Sequence, residues 1–184
     1  MRVLGIDPGS ETTGWGVVEG DSNGRSYRLI EFGAVKLSSS ATFSSRLLKI
    51  SRALEEVIVR LKPDACAIEE AFYSVNPKVT LKLGQVRGVA LLAAESAALQ
   101  IGEYSPRLVK QTVAGYGNAE KQQVQEMVRI LLSLAAVPEP HDAADALAVA
   151  ICHFHHASVS QRLVAAEARA KISPTVAAAA RRRA

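Results

Sequence analysis

The sequence predicts an α/β fold in which a mixed five-stranded sheet is flanked by helices. Three runs rich in β-forming residues lie between residues 2 and 37, and the segment after them has helical periodicity. Later strand-like runs alternate with helix-like ones, so the predicted order is βββαβαβαα, with no internal repeat. A chain of 184 residues is long enough for one such domain and too short for two ordinary ones.

The first three runs are predicted to be consecutive antiparallel strands. They read "RVLGID", "TGWGVVE" and "RLIEFGAVKL", and turn-forming residues such as "GDSNGRS" separate the last two. Strands joined by short turns usually pair with their neighbours in the chain.

The later elements alternate in type. A helix is predicted over residues 43–61, where apolar residues recur at helical spacing until Lys62 and Pro63 end it. The run "DACAIEEAF" is apolar almost to its end, as expected of a central strand covered on both faces. A long helix over about residues 78–99 leads to a short strand at "IGEYSP". Two more helices are predicted, one beginning near Ala119 and one over about residues 142–159.

Charge divides the chain into two parts. We predict one domain over residues 1–160 and a basic, disordered tail over residues 161–184. The net charge is +4 for the whole chain and +5 for the tail, which leaves −1 for the domain. The tail either attracts phosphates non-specifically or is a solvated extension without a specific role.

Composition excludes some classes of protein. No apolar stretch approaches the roughly 18 residues of a membrane span, and the N-terminus enters a strand without a cationic leader, so we expect a cytoplasmic protein without membrane association. Cys66 and Cys152 lie in apolar contexts without a CxxC pair, which predicts two reduced, buried thiols.

Acidic residues lie where a buried core would not favour them. Asp7 ends the first strand, Glu69 or Glu70 ends the fourth, and Asp142 and Asp145 lie on one face of the last helix. If the first and fourth strands are parallel neighbours, these carboxylates meet, and their repulsion is relieved best by divalent cations. Carboxylate oxygens suit Mg²⁺ or Mn²⁺, and a pair of such ions can promote phosphodiester cleavage.

Simpler roles exist for single members of this set. Asp7 before "PG" is also typical of a turn, and Asp142 after Pro140 is also typical of a helix cap. Because side chains alternate along a strand, Glu69 and Glu70 point in opposite directions, and the pattern alone does not choose between them.

Five motifs resemble the RuvC family of Holliday junction resolvases in order and spacing. They are "GIDPGSETTGWGVV", "AIEEAF", "LKLGQVRGVAL", "VKQTVAGYGNAEKQQVQEMV" and "DAADALAVAICH", and together they extend over roughly residues 1–157. The resemblance implies a ribonuclease H-like fold, a homodimer, and metal ligands at Asp7, Glu69, Asp142 and Asp145. It implies an endodeoxyribonuclease that uses two Mg²⁺ ions per site to make paired nicks in a four-way DNA junction, leaving 5′-phosphate and 3′-hydroxyl ends. It also implies cooperation with a RuvA–RuvB branch migration motor.

The resemblance assigns further residues. Some relatives use a histidine ligand near His141, but a carboxylate stands at the matching place here, so we interpret His141 as lying beside the ligands or facing solvent. Phe72 matches a phenylalanine that wedges into the exchange point, and an ordinary core position is the alternative. Lys110 and Lys121 match two functionally important lysines. With Arg107 they lie around a glycine-rich turn, and we expect all three to bind DNA phosphates. The small residues of the helix over residues 78–99 suit close packing on a second copy.

Two other classes of protein share some of these features. A strand ending in "DPGS" before a hairpin also resembles the phosphate loop of sugar kinases and actin-like proteins, but those need two lobes. A non-catalytic junction-binding module would be expected to have lost at least one of the four acids, and all four are present.

Overall fold

The computed structural model describes residues 1–21, 26–70 and 76–157, and its centre is a five-stranded mixed sheet. The strands are β1 (Arg2–Asp7), β2 (Thr12–Gly20), β3 (Tyr27–Lys36), β4 (Ala65–Glu69) and β5 (Gln100–Tyr104). Their order is β3-β2-β1-β4-β5. The first three strands pair antiparallel, whereas β4 runs parallel to both β1 and β5. The predicted mixed five-stranded sheet is confirmed, and the first and fourth strands are parallel neighbours, which is the condition for their acidic ends to meet.

Five helices pack on this sheet within the described residues. They are α1 (Phe43–Leu61), α2 (Pro77–Ser96), α3 (Pro106–Ala114), α4 (Lys121–Leu131) and α5 (residues 141–157). Local signals define their ends: the Thr42 hydroxyl accepts the Ser45 N–H to cap α1, and Lys62 ends that helix in the left-handed conformation. Asn76 caps α2 by accepting the Lys78 N–H.

Helix α3 was not predicted, and the order βββαβαβαα is therefore wrong by one helix. The segment "SPRLVKQTVAG" leads into a glycine-rich stretch, which favours a turn over a helix. It contains a complete set of helix signals: the Ser105 hydroxyl accepts the Leu108 N–H, Pro106 occupies the first turn, and Gly115 ends the helix with φ 89°. Arg107 and Lys110 therefore lie on a helix rather than in a turn.

The sheet separates two apolar cores. Leu4, Ile6 and Ile68 point to the face covered by α1 and α2. Val3, Ala65 and Ala67 point to the opposite face, which α3, α4 and α5 cover. Because strand side chains alternate, this division fixes the direction in which every later residue of β1 and β4 points.

Helix α5 lies unusually close to the sheet because glycines face alanines across the contact. A Cβ atom at Gly5 would collide with the backbone of Ala146, and one at Gly14 would collide with the backbone of Asp142. The buried residues of α5 include Ala143, Ala144, Ala146, Ala148 and Ala150. The first turn of α5 is thereby held directly over β1 and β2.

The cysteines, the helices, Phe72 and the tail were also the subject of predictions. Cys66 and Cys152 are buried free thiols, as predicted. In the described ranges, no helix combines the length and apolar character needed to cross a membrane. Phe72 and the tail over residues 161–184 lie outside the described residues.

Candidate active site

Asp7 and Glu69 end two neighbouring parallel strands at the same edge of the sheet. Ile6 of β1 is in register with Ile68 of β4, so the residues that follow them are also adjacent. Both isoleucines point toward α1 and α2, and Asp7 and Glu69 therefore point toward α5. Glu70 follows with the opposite parity and is exposed. The structure thus brings Glu69, and not Glu70, to Asp7.

Helix α5 brings the other two acids to this point. Asp142 lies in its first turn, and Asp145 lies three residues later on the same face. The close approach at Gly14 places the Asp142 backbone against β2, one strand away from Asp7. Asp7 is repelled by both Asp145 and Asp142, which shows that the four carboxyl groups form one electrostatic cluster.

Burial and mutual repulsion favour protonated carboxyl groups here. Burial first, then repulsion from Asp145 and Asp142, raises the pKa of Asp7 to about 7. Burial first, then repulsion from Asp7 and Asp145, raises the pKa of Glu69 to about 8. A hydrogen bond between the two carboxyl groups further raises the pKa of Glu69 and partly offsets the rise in the pKa of Asp7, so a proton on this pair is favoured on Glu69. Because negative charge on these carboxyl groups is unfavourable, a bound cation would stabilise the site.

Lys121 already supplies one positive charge. Its Nζ donates to Asp145 Oδ2 at 2.6 Å. Burial opposes the charge of the ammonium, but the hydrogen bond to Asp145 and the nearby carboxylates outweigh it and raise the pKa of Lys121. The charge of the same ammonium partly offsets the rise in the pKa of both Asp7 and Glu69. We expected Lys121 to face DNA phosphates, and in the structure its partner is a predicted metal ligand.

Gln125 is a site residue that the sequence interpretation missed. Its Nε2 donates to Asp145 Oδ1 at 3.5 Å, and its side chain is buried. The available signal was its spacing of four residues from Lys121 on α4, between the buried Val124 and Val128. A polar residue in that apolar stretch requires a polar partner.

A small cavity of about 150 Å³ opens beside the acids. Its wall has an apolar part, formed by Pro106, Val109, Val124 and Ala148, and a charged part, formed by Glu69, Lys110, Lys121 and Asp145. Lys110 is therefore brought to the site by the unpredicted helix α3. Arg107 and His141 are both exposed and do not line this cavity.

The chemistry of the four acidic side chains suits a hard divalent cation. The four acids offer only oxygen ligands, the kind that Mg²⁺ and Mn²⁺ prefer. Among residues 1–21, 26–70 and 76–157, no three His, Cys, Asp or Glu side chains are arranged to enclose one ion. Instead, Asp7 pairs with Glu69, and Asp145 pairs with Lys121. The agreement with a metal site is therefore one of ligand chemistry and charge.

Known proteins resemble the chain over most of its length. Residues 3–153 match the family model for Crossover junction endodeoxyribonuclease RuvC. The protein of that name from Chloroflexus aggregans is 52% identical over 162 residues, covering 88% of this chain and 98% of the relative. The one from Koribacter versatilis is 52% identical over 163 residues, covering 89% and 98%. The solved structure of T. thermophilus RuvC in complex with Holliday junction substrate has a TM-score of 0.82 and 38% identity, covering 87% of this chain and 96% of that chain. This similarity confirms the ribonuclease H-like fold.

Proposed function

Because this chain belongs to the RuvC family of crossover junction endodeoxyribonucleases, we propose that its four clustered acids form the active site of a Mg²⁺-dependent nuclease. The chain is a Holliday junction resolvase of DNA recombination and repair. One observation carries the proposed metal dependence. Asp7 and Glu69 converge with Asp145 in a setting that raises the pKa of both strand-end carboxyl groups, so a bound cation would relieve their repulsion.

The proposed ligands are Asp7, Glu69, Asp142 and Asp145, with two Mg²⁺ ions per site and Mn²⁺ as a substitute of similar chemistry. When bound, such a pair of ions supplies the charge that activates the attacking water and stabilises the leaving 3′ oxygen. Loss of that oxygen as the leaving group yields a 5′-phosphate and a 3′-hydroxyl end. The role of the protein is to hold the four carboxylates in place on β1, β4 and α5.

Basic side chains around the acids are proposed to bind the DNA backbone. Lys110 and Lys121 line the cavity next to Glu69 and Asp145, so phosphates that contact them would be close to the acids. Arg107 begins the exposed side of α3 and would contact a phosphate farther away. Phe72 follows Glu69 by three residues, and we propose that it stacks on bases at the crossover.

A homodimer is proposed through helix α2. Leu81 and Leu92 are 68% and 66% exposed on this helix. Apart from the chain neighbours and the nearby backbone of α2 itself, no described atom lies within 4 Å of a Cβ built at Gly84 or Gly88. Large exposed apolar side chains beside such open glycines suit close packing of a symmetric copy. A junction has two strands of like polarity to cut, and a two-fold dimer would place one site on each.

Two further assignments follow from the family alone. We propose that a RuvA–RuvB branch migration complex delivers the junction to this dimer. We also propose that the enzyme acts in the cytoplasm, where that DNA is located.

A synthetic four-way junction tests the proposal. Purified protein should bind the junction with or without Mg²⁺, and should nick it in symmetric pairs only with Mg²⁺ or Mn²⁺. Ligase should reseal the nicks directly. Asp145→Asn should bind the junction without cutting it, whereas the matched variant Glu70→Gln should cut at nearly the parental rate, because Glu70 points away from the acids. Cleavage in the presence of a chelator, or full activity of Asp145→Asn, would contradict the proposal.

A further inference from the structure

Helix α4 buries an amide in an otherwise apolar surface. Gln125 is 3% exposed, and the only other fully buried polar side chains in the described part of the chain belong to Thr13 and His153. Its neighbours Val124 and Val128 belong to the core beneath α4. Burying an amide is unfavourable unless it forms hydrogen bonds. The identity of its partner therefore indicates why a glutamine is present.

Asp145 is that partner, and residues of α4 contact both of its carboxylate oxygens. Gln125 Nε2 donates to Oδ1 at 3.5 Å, and Lys121 Nζ donates to Oδ2 at 2.6 Å. Lys121 and Gln125 are four residues apart and therefore lie on the same face of the helix. A carboxylate only accepts hydrogen bonds, so the amide must present its NH₂ group to Oδ1.

The two contacts differ in accessibility. The Lys121 side chain is 56% exposed and flexible, so another cation can replace its ammonium on Oδ2. Gln125 is enclosed by the core, so its amide has little access to water as an alternative partner to Oδ1. The side chain of Asp145 itself is 21% exposed. Oδ1 thus has a buried neutral partner, whereas the partner of Oδ2 is exposed and can be exchanged.

We infer that Gln125 is a positioning residue for the metal ligand Asp145: its buried amide holds Oδ1 and leaves Oδ2 to an exchangeable cation. This inference rests on the proposed function, because it takes Asp145 as a ligand. A neutral donor suits the role, since a buried Lys or Arg at this position would keep a fixed positive charge beside a divalent cation. Hydrogen bonds from such outer partners orient ligating carboxylates and strengthen metal binding.

The test measures Mn²⁺ binding by electron paramagnetic resonance on the full-length protein without DNA. Gln125→Met keeps the side-chain length and removes the donor, and it should weaken Mn²⁺ binding by about tenfold. Gln122→Met makes the same change at an exposed position of α4 and should bind Mn²⁺ like the parent. Both variants should keep the parental melting temperature, and raising the Mn²⁺ concentration should restore junction cleavage by Gln125→Met.

The outcomes separate the two proposals. Parental Mn²⁺ affinity in a folded Gln125→Met, with binding lost in Asp145→Asn, would overturn the role of Gln125 and leave the metal site intact. Parental affinity in Asp145→Asn would overturn the ligand assignment and the inference that depends on it.

A measurement on the unaltered protein applies even if Gln125→Met does not fold. In a nuclear magnetic resonance titration with Mg²⁺, the side-chain NH₂ signals of Gln125 should shift and those of Gln122 should not. Unchanged Gln125 signals at saturating Mg²⁺ would refute the inference.

Discussion

Replacing Gly14 by alanine should greatly reduce activity by displacing Asp142, although the carboxyl group of this proposed ligand is left unaltered. The new Cβ would lie against the carbonyl group of Asp142, far inside the 3.0 Å that real Cβ atoms essentially never breach. Opening that contact to an ordinary 3.4 Å requires β2 and the start of α5 to separate by about 1.5 Å. Backbone atoms line both sides, so no side-chain rotation can relieve the collision.

The expected effects are a moderate loss of stability and a large loss of activity. Overpacking of a tight contact costs about 1–3 kcal/mol of the free energy of unfolding. A displacement of about 1 Å at a reacting group can reduce the rate by about 100-fold. Urea unfolding and junction cleavage in Mg²⁺ should be measured on the same preparation.

Gly16→Ala is the matched control. It adds the same methyl group to the same face of β2, but its nearest neighbours are Cδ2 and Cγ of the buried Leu147 side chain and not backbone atoms. Relief therefore requires repacking of one side chain and not separation of α5 from β2. This variant should lose similar stability and keep most of its activity. The reasoning is refuted if Gly14→Ala cuts junctions as fast as Gly16→Ala, or if both lose activity only in proportion to the folded fraction.

Three further predictions concern other parts of the chain. Asp7→Asn should stabilise the fold by about 4 kcal/mol at pH 8 and by about 2 kcal/mol at pH 5. Because the pKa of Asp7 is near 3.8 when unfolded and about 7 when folded, the folded chain binds more protons between these values, and its stability falls as pH rises. Melting curves in a chelator check this, and a larger gain at pH 5 would contradict it. Phe72→Ala should change stability by less than about 1 kcal/mol while cleavage falls steeply. A loss of about 3–5 kcal/mol would instead show a core residue. Truncation after Ser160 should weaken salt-sensitive binding to duplex DNA and spare the position of the nicks. A folded, dimeric truncation that cannot nick at low salt would show that the tail takes part in cleavage.

The sheet could be predicted from the sequence because its signals are local and strong. Continuous apolar runs such as "ACAIE" indicate buried strands, and β4 lies at that run. The parallel pairing of β1 with β4 was only a condition of the sequence argument, and the strand register establishes it. Helix α3 was missed because the glycines after it drew the interpretation toward a turn, although Ser105 and Gly115 mark both of its ends.

The acids could be predicted, but their surroundings could not. Asp7, Asp142 and Asp145 stand out as charges in apolar contexts, whereas the choice of Glu69 over Glu70 depended on the family resemblance until the strand register was known. The pairing of Lys121 with Asp145 and the buried contact of Gln125 arise from the packing of α4 on α5. Contacts between two helices depend on their crossing geometry, and the periodicity within either helix does not specify that geometry.

Because α5 packs on β1 and β2, the active site can form only after nearly the whole domain has been synthesised. Asp7 leaves the ribosome first, but two of its partners lie more than 130 residues downstream, on the helix that fits against the glycines of the first two strands. A nascent or truncated chain without α5 therefore lacks both half of the acids and the core that would hold the other half. Fragments that end before α5, whether from stalled synthesis or from proteolysis, should therefore be unable to cut DNA.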